Sequence, residues 1–186
     1  MRLFVAVDVG EAVRERLGAL IRELAPLCPG ARWVRPEGMH VTLKFIGEVT
    51  AEKTERIRAA LATIAWPGPI EMVIRNTGFF PNAKHPRVLW AGIEAPPALA
   101  ALAAAVEARL EPLGVPRESR TFHPHLTLAR FKHEAGLAQL QQALARRGQV
   151  EFGRVVATAF HLYESRLRPS GAVYTRLATF PQEDTR

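Results

Sequence analysis

The chain has 186 residues, 48% of them hydrophobic and 23% charged, which allows a sizeable buried core and an ordinary solvated surface. No apolar run approaches the length that spans a bilayer. A single cysteine, Cys28, excludes an intrachain disulfide framework and a cysteine-rich zinc site, and makes a cytoplasmic setting the expectation. The net charge is +7, and 21 of the 25 basic residues are arginine. That balance suits an anionic partner such as nucleic acid; an arginine-rich genome composition accounts for it equally well. The basic residues are dispersed and form no tail.

Residues 3–9 read as a strand rather than a signal peptide, because Asp8 interrupts the apolar stretch and no small-residue cleavage site follows. Residues 11–27 place Val13, Leu17, Leu20, Ile21 and Leu24 on one helical face. Residues 40–47 alternate as a strand and end at Gly47. Thr50 then caps a helix carrying Ile57, Leu61 and Ile64, which Pro67-Gly68-Pro69 terminates. Residues 70–77 return as a strand. The order then restarts with a strand at 87–94, and Pro96-Pro97 opens an Ala-rich helix with Leu99, Leu102, Val106 and Leu110. A strand at 125–131 is followed by a helix marked by Leu137, Leu140 and Leu144 and ended by Gly148. Strands at 155–163 and 173–180 complete the chain. Residues 79–86 and 165–172 read as surface connections. The expected organisation is one domain of two similar halves, about 1–78 and 87–180, each ordered strand, helix, strand, helix, strand.

The two central strands carry the chemistry. One begins His40-Val41-Thr42-Leu43 and the other His125-Leu126-Thr127-Leu128, 85 residues apart. On a strand, alternate side chains share a face, so His and Thr point one way and the apolar residues the other. Placed side by side, the strands bring two imidazoles and two hydroxyls to one small volume. One histidine can take a proton from an attacking water while the other gives a proton to a departing oxygen. The Thr hydroxyls suit the non-bridging oxygens of a phosphate. This arrangement requires no metal and no cofactor. A lone His-x-Thr is more simply a strand histidine; two copies at the same place in a repeated element order favour function.

On these residues the chain resembles the 2H phosphoesterases, named for two His-x-Thr/Ser-x motifs, and within them the RNA 2′,3′-cyclic phosphodiesterases, also called 2′-5′ RNA ligases. The likeness extends to residues 2–8, to Pro86-Arg87-Val88-Leu89-Trp90-Ala91-Gly92, to Pro124 through Arg130, and to Leu162-Tyr163-Glu164-Ser165 with Tyr174 and Phe180-Pro181. It implies a bilobal α+β fold, with two pseudo-symmetric β-α-β-α-β halves and antiparallel sheets around a central cleft. It implies hydrolysis of RNA 2′,3′-cyclic phosphate ends to 2′-phosphates. Separately, the expectation is a monomer that does not contact membrane. His40 would then donate a proton to O3′, His125 would activate water, and Thr42 and Thr127 would hold the phosphate. The residues alone give the pair of histidines without dividing their roles.

Three further residues are candidate substrate contacts. Lys44 shares the alternation of His40 and Thr42, and is either a phosphate contact or a solvated strand-end lysine. Phe131 shares the alternation of His125, where it either stacks on a base or packs in the core. Arg130 is frequent at this place in the family, yet strict alternation aims it away from the cleft. His123 reads as peripheral, and His85 and His161 as surface or core histidines. No metal-ligand spacing such as His-Glu-x-x-His occurs. The competing activities are 2′-5′ ligation by the reverse reaction and hydrolysis of a small cyclic nucleotide. A third reading, RNA binding without chemistry, is disfavoured by the intact His/Thr pairs.

Overall fold

A computed structural model of the chain describes residues 1–182. Among these residues the chain forms nine strands and four α-helices. In chain order they are β1 (Arg2–Val7), α1 (Glu11–Leu24), β2 (Arg32–Trp33), β3 (Val41–Glu48), α2 (Ala51–Ala62), β4 (Ile70–Phe80) and β5 (Val88–Glu94). There follow α3 (Pro97–Leu110), β6 (His125–Arg130), α4 (Leu137–Arg147), β7 (Glu151–Ala157), β8 (Phe160–Arg168) and β9 (Gly171–Phe180). The expected cap holds: the Thr50 hydroxyl accepts from the Lys53 amide at 3.1 Å and starts α2. No helix among the described residues is long and apolar enough to cross a membrane.

The strands make two antiparallel sheets. One has the order β3-β1-β8-β9 and the other β2-β6-β5-β4-β7. Setting β2 aside, the two orders are equivalent, with β3 matching β6, β1 matching β5, β8 matching β4 and β9 matching β7. The halves exchange strands: β4 from the first half pairs with β5 of the second, and β8 from the second pairs with β1 of the first. The helices cross over too. α1 follows β1 but packs on β7, and α3 follows β5 but packs on β3. The apolar helix faces and the inner sheet faces merge into one buried cluster. It includes Val13, Leu17 and Leu24 of α1, Ile57 and Leu61 of α2, Leu102 and Val106 of α3, and Leu140 of α4. Burial on this scale supplies most of the driving force for folding.

Three element expectations change. The strand read at 155–163 is two strands in different sheets, because the chain crosses from one sheet to the other at Thr158 and Ala159. No Gly or Pro marks that crossing, so the alternation hides it. The connection expected at 165–172 is a regular hairpin in which β8 pairs with β9 as far as Arg168 opposite Gly171. The short strand β2, with Arg32 opposite Arg130 and Trp33 opposite Ala129, is too brief to leave a periodic signal.

Candidate active site

Each His strand carries a β-bulge three residues after its histidine. Against β1, Lys44 pairs with Val5 and Thr42 with Ala6, which leaves Leu43 as the extra residue. Against β5, Ala129 pairs with Leu89 and Thr127 with Trp90, which leaves Leu128 as the extra residue. A bulge inserts one residue and reverses the alternation beyond it. The consequence appears in both halves. Lys44 and Ala129 turn to the core side, while Phe45 and Arg130 turn to the cleft side with their His and Thr.

These bulges correct three assignments. Lys44 is 5% exposed, and its ammonium is held by Glu107 Oε1 and the Pro116 carbonyl, each at 2.6 Å. It is a buried ion pair between β3 and α3, turned away from Thr42. Phe131 is 4% exposed and packs near Phe79, with ring centroids 6.3 Å apart, so its place is the core. Arg130 is exposed and lies on the face of Thr127, contrary to strict alternation.

His40 enters β3 from the 3-10 turn Pro36–Gly38. Its Nδ1 lies 3.2 Å from the Gly38 carbonyl oxygen. A carbonyl only accepts, so Nδ1 carries the proton and Nε2 is left for chemistry. A Cβ at Gly38 would stand 2.7 Å from the Tyr174 ring, so any side chain there must displace that ring. The imidazole is packed among Phe4, Tyr163 and Tyr174, with centroid distances of 5.8, 4.5 and 5.6 Å. This burial, with the nearby charges of Arg14 and Arg176, holds its pKa down at about 4; the Gly38 hydrogen bond and Asp8 oppose the shift only in part.

Beneath His40 lies a polar network. Arg14 donates to Asp8 and to the Met39 carbonyl. Arg176 lies 3.9 Å from the other oxygen of Asp8 and donates to the Tyr163 hydroxyl at 3.3 Å. Burial pushes the Asp8 carboxyl up, but the charge and hydrogen bond of Arg14, with the amides of Val9 and Gly10, bring it below its usual value. Burial raises the Tyr163 phenol. His161 is buried beside Tyr163 at 5.8 Å and meets Thr179 Oγ1 at 3.0 Å. Its pKa falls to about 4 through burial first, then the charges of Arg176 and His40.

His125 opens β6 with the same device. Its Nδ1 lies 2.7 Å from the carbonyl oxygen of His123, again two residues earlier. Phe80 meets its ring edge to face at 5.1 Å, and Phe80 in turn lies 5.2 Å from Trp90, the cross-strand partner of Thr127. His123 therefore matters through its backbone, and its side chain is exposed. His85 is an exposed histidine 3.4 Å from Glu134. Thr42 and Thr127 are half-buried on the cleft faces of β3 and β6. The strands themselves are neighbours where the two sheets meet.

Sequence patterning alone passes over Asp8, Arg14, Phe4, Phe80, Tyr174 and Arg176. They converge from distant parts of the chain, and no local spacing links them. His161 had one usable signal: it lies one position before the Leu162-Tyr163-Glu164-Ser165 segment that contributes to the resemblance.

Two sheets with exchanged strands and matched His-x-Thr strands at their meeting define a 2H phosphoesterase. The chain belongs to the LigT-like phosphoesterase family, whose sequence profile matches residues 7–90 and 93–174. It is 36% identical over 180 residues to the RNA 2′,3′-cyclic phosphodiesterase of Archaeoglobus fulgidus, covering 97% of this chain and 99% of that one. It is 32% identical to the enzyme of the same name from Methanothermobacter thermautotrophicus, over 97% and 98%. Among solved structures, the TT0787 protein of Thermus thermophilus superposes with a TM-score of 0.76 at 36% identity, covering 97% of each chain. Escherichia coli LigT complexed with 3′-AMP gives 0.76 at 26% identity, covering 96% of each chain.

Proposed function

We propose that the protein hydrolyses the 2′,3′-cyclic phosphate at RNA ends to a 2′-phosphate, using His40 and His125 as acid and base. The observation that carries this reading is the shared tethering of the two imidazoles. Each gives Nδ1–H to a carbonyl two residues earlier, which leaves Nε2 for chemistry, and each precedes by two residues a half-buried threonine. Acid and base assistance of this kind contributes about 10²–10⁴-fold for each group. The activity for which the relatives above are named supports the same substrate.

In this reading Thr42 and Thr127 donate hydrogen bonds to the non-bridging phosphate oxygens. His125 takes a proton from water as its oxygen bonds to phosphorus. The bond from phosphorus to O3′ breaks, and His40 protonates O3′. His40 is neutral near pH 7 in the free protein, with its pKa at about 4. Its proton is therefore acquired as the phosphate anion binds beside it and raises that pKa. The same neutrality favours the reverse division of roles, with His40 as base. A cyclic substrate with sulfur in place of O3′ separates the two, since its leaving group needs no proton. Replacing the acid then costs little, and replacing the base costs as much as before.

The deciding experiment incubates metal-free protein with an oligonucleotide ending in a 2′,3′-cyclic phosphate and locates the product phosphate. A 2′-phosphate is expected. A 3′-phosphate, or no product until a divalent metal is added, overturns the proposal. The setting we propose is the cytoplasm, with the protein acting as a monomer and without cofactor.

A further inference from the structure

A third bulge builds the wall behind His40. Against β8, Ala178 pairs with Leu162 and Arg176 with Tyr163, which leaves Leu177 as the extra residue of β9. Beyond an extra residue the alternation reverses, as it does in β3 and β6. Strict alternation would set Leu177 opposite Tyr163. The bulge sets Arg176 there instead, and Tyr174, two residues away, shares its face. Across the sheet, Phe4, Tyr163 and Arg176 then stand side by side. Phe4 stacks on Tyr163 with centroids 5.2 Å apart and planes inclined at 13°. Arg176 donates to the Tyr163 hydroxyl at 3.3 Å and lies 3.9 Å from Asp8, which Arg14 also binds. Tyr163 is only 4% exposed, and a buried phenol needs a partner for its hydroxyl. Among the described residues that partner is Arg176.

We infer that Arg176 is a positioning residue for His40, acting through Tyr163. The imidazole has three aromatic neighbours, and the Tyr163 ring is the nearest of them at 4.5 Å. The hydrogen bond from Nδ1 to the Gly38 carbonyl fixes one point of the imidazole, and the Tyr163 ring decides where its plane lies. Tyr163 is a steady wall only while it is itself held. Phe4 holds its side and Arg176 holds its tip, and Asp8, just past β1, holds Arg176 in turn. The inference rests on the proposed reading, in which His40 carries a proton at the reacting phosphate. It adds to that reading a residue that works on the imidazole through a second side chain. A reacting group displaced by about 1 Å can cost on the order of 10²-fold in rate.

The test compares the full chain with Arg176→Met, Arg176→Lys, Tyr163→Phe and the double variant Arg176→Met with Tyr163→Phe, on a 2′,3′-cyclic mononucleotide. Arg176→Met removes the donor and keeps most of the length; Tyr163→Phe removes only the hydroxyl and leaves every charge in place. In both, kcat is expected to fall by on the order of 10-fold while KM holds, a smaller loss than that of the histidine itself. Arg176→Lys, which keeps a donor without the planar fork, returns part of kcat. The double variant is no slower than Arg176→Met alone, because both changes break one contact. Losses that multiply, or a rise in KM with kcat unchanged, put Arg176 on the substrate and overturn the inference. A second readout needs no turnover. The His40 ring proton between the two nitrogens feels the ring current of Tyr163, so its NMR resonance reports their separation. It is expected to move in Arg176→Met and in Tyr163→Phe, while the corresponding resonance of His125 stays in place. An unmoved His40 resonance in both variants overturns the inference, whatever kcat does. If the unaltered chain cleaves no cyclic phosphate, the phosphodiesterase reading fails, and the His40 resonance still decides whether Arg176 positions the imidazole.

Discussion

The imidazole of His40 lies against the ring of Tyr163, with centroids 4.5 Å apart and planes inclined at 50°. The contact covers one side of the imidazole while the Gly38 carbonyl holds Nδ1, so the ring has a fixed tautomer and a fixed direction. His125 is held by the carbonyl of His123 and the edge of Phe80. His40→Ala and His125→Ala are each expected to lower kcat on a 2′,3′-cyclic phosphate by on the order of 10²–10⁴-fold while the far-UV spectrum stays native. Near-normal turnover in either variant removes that residue from the mechanism.

The threonines contribute less. Each supplies one hydrogen bond to phosphate, worth a few kcal/mol at most. The expected order of single-turnover rate at both positions is Thr, then Ser, then Val and Ala together. Ser keeps the hydroxyl; Val keeps the β-branched shape that suits a strand and loses the donor. If Val serves as well as Thr, the two residues are strand formers and not phosphate ligands.

Lys44 belongs to stability. Its ammonium is buried against Glu107 at 2.6 Å, and removing one partner of a buried pair costs about 3–5 kcal/mol. Lys44→Ala is expected to move the urea midpoint strongly downward while leaving kcat of the folded fraction near normal. Lys44→Met combined with Glu107→Leu should recover much of the loss, because no unpaired charge remains. A loss of kcat in Lys44→Ala without a loss of stability restores it to the site.

Two histidines make the fold sensitive to acid. His40 and His161 titrate at about 4 when folded, against 6.5 for an unperturbed histidine. Between those values the unfolded chain binds more protons than the folded one, so stability falls as pH drops from about 6.5 toward 4. The groups facing His161 are Arg176, Asp8, Tyr163 and His40; Arg176 opposes protonation of both rings, and Arg14 adds to it at His40. His161→Gln is expected to flatten this dependence, read from urea midpoints at several pH values across the window. An equally steep loss in the variant places its origin elsewhere.

Gly78 makes room for a ring. A Cβ there would run into the indole of Trp90, whose backbone neighbour across the strand pair is Thr127. Gly78→Ala must displace the indole, so both thermal stability and kcat are expected to fall. Trp90→Phe in the same chain shortens the ring and should return part of each. A silent Gly78→Ala contradicts the packing.

Local chemistry in the chain was enough to determine the strand and helix order through most of its length, the Thr50 cap, and the paired His-x-Thr faces. All of these depend on neighbours within one turn or one alternation, and burial of one face enforces them. The direction of Lys44, Arg130 and Phe131 was decided only in three dimensions. Strict alternation places Lys44 and Phe131 with their histidines, and the bulges at Leu43 and Leu128 reverse that. A bulge arises from the register against β1 and β5, and the His strand by itself does not encode it. The crossing at Thr158 and Ala159 is of the same kind, since pairing partners far along the chain, β4 on one side and β1 on the other, split one alternating run into two sheets. The setting of His40 is the furthest from sequence. Tyr163 and Arg176 come from β8 and β9 of the second half, and they reach Asp8, Arg14 and His40 of the first half only because the halves exchange strands.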